Sequence, residues 1–429
     1  MRGGHVSQDS LLSDDFLRSL MAVGHVDVFV GVPTLDNAST IGDLVEAAQQ
    51  ALAQFFPRDR TLLMTSDGGS TDGTLAIARD VSPTRAGTAH TPQNLRTTHR
   101  INAPSHGVPG QGRALRQILA AADLTQARTV AILSADVAGV TSEGIAALIQ
   151  PVKEQRFDYV VPVYARHPLE RPLVTQLIRP LLRAAYGRRV QEPLAGEFGC
   201  SSRLLSRYLE QETWGGETSR HAVDLWMTGA ALSGDFTVGQ TPLGSHRVAP
   251  GHNPGFQETF QQVVGAAFAC LEYQAAQWLD RHGSEPVPLV GPSAAEPGVA
   301  PSVDGTHMTD TFRVDLQSLQ AVLEPILDGV TLSALHQAAA TGGTHVHYPD
   351  ALWASTVYEF FDAHRRSVMR QDHITQALMP LYLGRTGSFL IEHAASDTAT
   401  ADAALESLCL QFEQLKPSLI ERWNRTSQR

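Results

Sequence analysis

From residue 26 to about residue 247 the chain alternates short apolar runs with stretches of helical period, and few folds satisfy that alternation. Residues 26–33 are rich in Val and Phe and stop at Pro33, while 61–66, 129–134 and 159–164 read as further strands. Between them, 40–56 carries Ile41, Leu44, Val45, Ala48, Leu52 and Phe55 at helical spacing. Residues 71–79, 112–122 and 142–152 read as helices as well. Strands that alternate with helices in this way predict parallel βαβ units in a doubly wound, Rossmann-like α/β sheet. Ligands on such sheets bind in the crevice beyond the carboxyl ends of the strands.

Past this region the pattern changes. Residues 253–281 read as one long helix, with Phe256, Phe260, Val263, Val264, Ala267, Phe268 and Leu271 on one face. Residues 283–305, rich in Pro, Gly, Ser and Ala, read as a linker or long surface crossover. Two apolar stripes then mark helices: Phe312, Leu316, Leu319, Val322, Leu323 and Ile326, and later Leu405, Leu408, Phe412 and Leu415. The expected organisation is an N-terminal extension (1–25), an α/β domain (26–282), a linker (283–310) and a helical C-terminal domain (311–429). The stripes suit packing on the α/β domain or a homodimer equally. Trp353, Phe360 and Phe361 read as helical core, and His345-Val346-His347, with no carboxylate or cysteine nearby, does not read as a metal site.

Bulk properties narrow the function classes. The formal charge is −11 and no Lys/Arg-rich block occurs, which argues against a nucleic-acid partner. Cys200, Cys270 and Cys409 lie far apart, which fits a reducing compartment and no structural zinc. Asp14, Asp15 and Arg18 interrupt the apolar stretch near the N-terminus, so no signal peptide is expected. No long uncharged apolar run suggests a transmembrane segment. A soluble, cytoplasmic protein is expected.

Two clusters at strand ends carry polar chemistry. The first is Val32-Pro33-Thr34-Leu35-Asp36-Asn37-Ala38-Ser39-Thr40-Ile41-Gly42, where Asp36 or Asn37 suits a base or ribose and equally a turn with a helix cap. The second is Ser66-Asp67-Gly68-Gly69-Ser70-Thr71-Asp72-Gly73-Thr74. Its paired glycines allow close backbone approach, and Asp67 suits a base, a ribose or a well-made βα turn. Neither cluster decides alone; their pairing about 35 residues apart is more specific.

Together the two clusters resemble the opening of the GT-A glycosyltransferases (family 2-like), and within them the retaining synthases of mannosylglycerate, glucosylglycerate and glucosyl-3-phosphoglycerate. The similarity continues in order through Pro109-Gly110-Gln111-Gly112, Leu133-Ser134-Ala135-Asp136, Arg166-His167-Pro168 and Glu192-Pro193-Leu194-Ala195-Gly196-Glu197. It extends to Ala222-Val223-Asp224-Leu225-Trp226-Met227 and Ser245-His246-Arg247. The resemblance implies a GT-A sheet with helices after it, and a hexosyltransferase that uses a nucleotide diphosphate sugar, Mg²⁺ or Mn²⁺, and a small acidic acceptor such as D-glycerate. It assigns metal ligation to Asp136 and His246, and the donor to Pro33, Asp36, Asp67, Gly110, Gln111, Ser134, Leu194, Ala195 and Gly196. It places Glu197 and Asp224 at the sugar as the catalytic candidates. Arg166 and His167, with Arg171, are candidates for an acceptor carboxylate. The chain departs from the pattern twice: Ser134 stands for the first Asp of an Asp-x-Asp, and Gln111 for a lysine that Arg113 is placed to replace. These departures keep open a second reading, a non-catalytic nucleotide-sugar binder. A nucleotidyltransferase fits less well, because 32–42 contains no Lys or Arg.

Overall fold

The computed structural model describes residues 13–81, 98–104, 110–210, 220–244, 247–248, 255–291, 304–340 and 346–427. Its strands are β1 (Val28–Thr34), β2 (Thr61–Asp67), β3 (Thr98–Pro104), β4 (Thr129–Ile132), β5 (Val137–Ala138), β6 (Tyr159–Val163), β7 (Arg188–Arg189), β8 (Phe198–Ser201), β9 (Val238–Pro242), β10 (Arg247–Val248) and β11 (Glu285–Pro286). Seven of them form one sheet in the order β3-β2-β1-β4-β8-β6-β9. Only β8 runs against its neighbours, pairing antiparallel with β4 and β6. The mostly parallel α/β sheet expected from the alternation is found, with this one reversed strand added. The chain leaves β1 towards β2 and β3, then crosses back to β4 on the other side of β1, which opens a crevice between β1 and β4 at their carboxyl ends.

The first helices are α1 (Asp14–Val23), α2 (Ile41–Phe55), α3 (Thr74–Asp80), α4 (Gln111–Leu124), α5 (Ser142–Gln155), α6 (Arg179–Tyr186), α7 (Ser202–Leu209) and α8 (Arg220–Ser233). Because successive strand residues face opposite sides, β1 serves two cores. Val28, Val30 and Val32 pack with Leu44, Val45, Ile145 and Ile149 from α2 and α5. Phe29, Met64 and Ile132 face Leu115 and Ile118 of α4 on the other side. Gly31 and Gly199 are needed for this closeness. A Cβ would lie 2.2 Å from the Ile118 side chain at the first, and 2.2 Å from the Leu148 carbonyl oxygen at the second.

The long helix read at 253–281 is divided. Within the described residues α9 (Phe256–Tyr273) ends at Gln274 and α10 (Ala275–Trp278) follows. Gln274 turns its side-chain oxygen to the Tyr186 hydroxyl at 2.7 Å, a tertiary bond that periodicity does not encode. The helix read from residue 71 starts at Thr74, because 70–73 form the strand-to-helix loop with Gly73 left-handed (φ 91°). Residues 285–286 add to β7, so the start of the Pro/Gly-rich stretch is strand-paired.

The C-terminal region is helical: α11 (Gly305–Ser318), α12 (Gln320–Leu323), α13 (Gly329–Ala340), α14 (Asp350–Arg365), α15 (Gln371–His393) and α16 (Thr398–Ser427). Trp353, Phe360 and Phe361 are fully buried, as read from the sequence. They belong to the apolar cluster that also holds Phe268, Tyr382 and Phe412 and reaches α4. Among the described residues no helix is long and apolar enough to cross a membrane.

Buried polar contacts fasten these helices to the α/β part. The Arg183 guanidinium donates to Glu406 at 2.6 and 2.7 Å and to Glu413 at 2.6 Å. Lys416 donates to the carbonyls of Ala185 and Arg281 at 3.0 and 2.7 Å, and burial lowers its ammonium pKa to about 8. Arg385 donates to Gln176 at 3.1 Å and pairs with Asp350 at 2.6 Å, while the Trp353 indole donates to the Gln176 carbonyl at 2.7 Å. Gln176 lies in a π-helical turn (Val174–Ile178), where an inserted residue breaks the regular hydrogen-bond ladder.

Removing one partner of a buried pair strands the other charge, whereas an exposed partner is lost at little cost. The Arg183 side chain, 4% exposed, pairs with both Glu406, 47% exposed, and Glu413, 11% exposed, so its loss strands Glu413, whereas loss of Glu406 leaves Arg183 paired with Glu413. Arg183→Ala should therefore lower unfolding stability by about 3 kcal/mol. Glu406→Ala should lower it by less than about 1 kcal/mol. Urea denaturation of the two variants checks the contrast.

Candidate active site

A cleft at the crevice between β1 and β4 is lined by Pro33, Gln111, Gly112, Leu115, Ile132, Ser134, Gly196, Val223 and Asp224. Five of the residues singled out in the sequence (Pro33, Gln111, Ser134, Gly196 and Asp224) meet here from five separate stretches. Gln111 opens α4, and Gly110 precedes it as the cap residue. The start of α4 therefore turns the positive end of its dipole to the cleft, with no side-chain cap and no acidic residue in the first turn. Such an end suits phosphate oxygens.

Backbone hydrogen bonds hold the three walls together. Gly68 N donates to the Thr34 carbonyl at 2.7 Å, and Gly110 N donates to the Gly68 carbonyl at 2.9 Å. A Cβ on Gly68 would lie 2.8 Å from the Gly110 oxygen, so only glycine lets the ends of β1, β2 and α4 approach this closely. Asp67 shapes the second loop, accepting from Gly69 N at 3.2 Å, Ser70 N at 3.1 Å and Thr34 Oγ1 at 3.1 Å. Asp36, with φ 54°, accepts from Thr71 N at 2.7 Å, and its own N–H donates to Ser70 Oγ at 2.8 Å. Both carboxylates thus tie the two sequence clusters to each other, and neither lines the cleft.

Asp136 lies just past β4, half-buried, on a turn stabilised by its own N–H donating to Ser134 Oγ at 3.3 Å. Its Oδ1 accepts from Asn37 Nδ2 at 2.5 Å. Asn37 is itself fixed, with its side-chain oxygen on Leu35 N and its N–H on Thr74 Oγ1, both at 2.8 Å. The Thr40 hydroxyl donates to the Ala135 carbonyl, a further tie between the first loop and this turn. Immediately after Asp136, β5 pairs antiparallel with β10, Ala138 opposite Arg247. His246 lies outside the described residues, as do Pro109 and His345. Among the described residues no group of three or more His, Cys, Asp or Glu side chains is placed to hold a metal. Arg113 lies on α4 and does not line the cleft.

Leu194 and Ala195 are buried, and a turn closed by Ala195 N on the Glu192 carbonyl (3.2 Å) brings Gly196 to the cleft. Glu197 follows, 2% exposed, its side chain on an adjoining cavity shared with Tyr164, Leu133, Val137 and Leu243. Burial raises its carboxyl pKa to about 7; the Tyr164 hydroxyl opposes that rise, Asp224 adds to it, and Arg171 opposes it. Its Oε2 makes no hydrogen bond among the described residues.

Beyond Glu197, Arg166 and Arg171 converge on Glu192, at 3.4 and 2.9 Å, with Glu192 5% exposed. The two arginines are therefore not open cations. Arg166 Nη2 is nevertheless buried and makes no hydrogen bond among the described residues. His167 is buried and accepts from Leu169 N through Nδ1 at 3.3 Å, which leaves only Nε2 for a ligand. Tyr164, Glu192 as an ion-pair partner and Asn37 as the support of Asp136 were not distinguished in the sequence. A strand-end tyrosine reads as core, and a loop Asn as a cap.

Glu197 makes a testable contribution to stability. Its folded pKa of about 7 lies above the ordinary 4.5, so the folded chain holds this proton more tightly than the unfolded chain. Its ionisation costs stability progressively as pH rises from 4.5 through 7, by about 3 kcal/mol in full. Glu197→Gln should gain about that much on the wild type between pH 4 and pH 8. Urea unfolding of both proteins across that range measures it.

No protein-family model matches the chain, and no curated protein matches it in sequence. Solved structures are similar to it. Glucosyl-3-phosphoglycerate synthase from Mycobacterium tuberculosis, in complex with Mg²⁺ and uridine diphosphate, is 20% identical over 63% of this chain and 84% of that one, with a TM-score of 0.40. The same enzyme with Mn²⁺, uridine diphosphate glucose and phosphoglyceric acid is 20% identical over 64% and 86%, with a TM-score of 0.42. A further mycobacterial protein is 22% identical over 60% and 78%, with a TM-score of 0.43. The chain itself has a mostly parallel seven-stranded sheet followed by a helical C-terminal region.

Proposed function

We propose that the chain is a retaining glycosyltransferase that moves a hexose from a nucleotide diphosphate sugar to a small acidic acceptor such as D-glycerate. The observation that carries this reading is the meeting of Pro33, Gln111, Ser134, Gly196 and Asp224 in one cleft at the sheet's switch point, beside the start of α4. The diphosphate is assigned to the α4 N-terminus, where Gln111 supplies an amide in place of an ammonium. The sugar is assigned to Gly196, Glu197 and Asp224, with the unpaired Oε2 of Glu197 accepting from a hydroxyl. The acceptor carboxylate is assigned to the Arg166 edge that Glu192 leaves unbonded, with His167 Nε2 beside it in the same loop.

A divalent ion fits the residues present in part. Asp136 is a half-exposed carboxylate held in place by Asn37, and His246 directly precedes the strand that pairs beside it. One carboxylate, one imidazole and diphosphate oxygens form a donor set suited to Mn²⁺ or Mg²⁺. Asp136 and His246 would hold the ion, which when bound would offset the charge of the departing diphosphate. The chain's own residues do the rest: α4 orients the phosphates, Glu197 and Asp224 orient the sugar, and the arginine pair orients the acceptor.

Thermal shift and transfer assays test this reading. One of the ADP-, GDP- or UDP-hexoses with Mn²⁺ should raise the melting temperature by about 3 °C at roughly 100-fold over Kd. Nucleotide diphosphate should then be released in step with glycoside formation on glycerate. Asp136→Asn should reduce transfer about 100-fold. A donor-induced shift without transfer would instead identify a nucleotide-sugar binder, in keeping with Ser134 and Gln111. No shift with any donor would overturn both.

A further inference from the structure

We propose that Tyr164 is a positioning residue that joins the two halves of the site, its hydroxyl setting Glu197 and its ring seating Arg166. The inference rests on the glycosyltransferase reading only for what the two ends bind.

Tyr164 follows the last residue of β6 and is 8% exposed. Its ring face carries the Arg166 guanidinium at 4.9 Å, a cation–π contact that costs little flexibility because both groups are planar. Tyr164 and Glu197 line one cavity, and there burial first and the Glu197 carboxylate second drive the phenol's own pKa up. Arg166 in turn pairs with Glu192 at 3.4 Å. Glu192 and Glu197 belong to one tight loop, closed by Ala195 N on the Glu192 carbonyl. Tyr164 is therefore linked twice to that loop, through its hydroxyl and through Arg166. At one link Glu197 Oε2, and at the other Arg166 Nε and Nη2, lack a hydrogen-bond partner among the described residues. The first is an acceptor suited to a ligand hydroxyl, the others donors suited to a ligand carboxylate. Tyr164 holds both in register.

The charged and titratable groups acting on Glu197 come from several elements: Asp224 on α8, Arg171 in the loop after β6, and Tyr164 itself. Glu192 and Arg166 act on the Tyr164 side. Asp224 disfavours the Glu197 anion; the Tyr164 hydroxyl and Arg171 favour it. Without the hydroxyl, Glu197 keeps its proton to higher pH and loses the acceptor that the sugar needs.

Tyr164→Phe keeps the ring and deletes the hydroxyl. The carboxyl band assigned to Glu197 by its loss in Glu197→Gln should titrate about 1 pH unit higher in Tyr164→Phe, followed by infrared difference spectroscopy. The acid limb of kcat/KM should move the same way. Arg166→Lys retains the charge but not the planar stack; it should raise the acceptor KM about 5-fold or more and leave the Glu197 titration in place. If Tyr164→Phe does not fold, Arg166→Lys alone decides whether the ring seats the cation. An unchanged Glu197 titration in folded Tyr164→Phe, or an unchanged acceptor KM in Arg166→Lys, overturns the proposal. The infrared titration needs no turnover, so a shifted band in a protein that transfers no hexose supports the Tyr164–Glu197 link and defeats only the glycosyltransferase reading.

Discussion

The site depends on two consecutive backbone hydrogen bonds, Gly68 N to the Thr34 carbonyl and Gly110 N to the Gly68 carbonyl. They join the ends of β1 and β2 to the start of α4, and they form only because residue 68 has no side chain. The polar residues of both loops then work on one another: Asp67 on Thr34 and Ser70, Asp36 on Thr71, Asn37 on Thr74 and Asp136. A cleft built in this way is preorganised. Its walls are held by bonds that a ligand has no need to break, so less ordering cost falls on binding.

A second layer of support comes from the C-terminal helices. Leu169, in the loop that carries Arg166 and Arg171, packs with Phe389, Leu390 and Leu405. The π-helical turn just beyond that loop is held by Trp353 and Arg385. The helical region is thus part of what fixes the loop of Arg166 and Arg171, and the apolar cluster continuous from α4 to α16 supplies the rigidity. Charges buried at the junction are paired or hydrogen-bonded, as the cost of desolvating them requires.

Electrostatics divides the site into two unlike ends. The α4 end offers backbone amides without a lysine, and its positive potential comes from the helix. The Glu197 end holds two nearby carboxylates in a dry setting, so that one of them keeps its proton to about pH 7. Anionic phosphates suit the first end and hydroxyl groups the second. Tyr164 and the Arg166–Glu192–Arg171 cluster lie beyond, where a carboxylate is the better guest.

Strand and helix order was legible in the amino-acid sequence because short apolar runs and a period of 3.6 residues reflect local geometry, and β1, β2, α2, α4 and α5 fall where those patterns place them. Of the cleft residues, Pro33 and Ser134 were legible because strand ends of parallel βαβ units emerge on one edge of the sheet, whereas Gln111, Gly196 and Asp224, on α4, a loop and α8, were placed by the resemblance of their motifs. What tertiary structure alone decided was the reversed strand β8, the break at Gln274, the double pairing of Glu192 and the burial of Glu197. Each depends on partners far along the chain, Leu148 for Gly199, Tyr186 for Gln274 and Tyr164 for Glu197. Burial and long-range partners set hydrogen bonding and pKa, and a linear pattern carries neither.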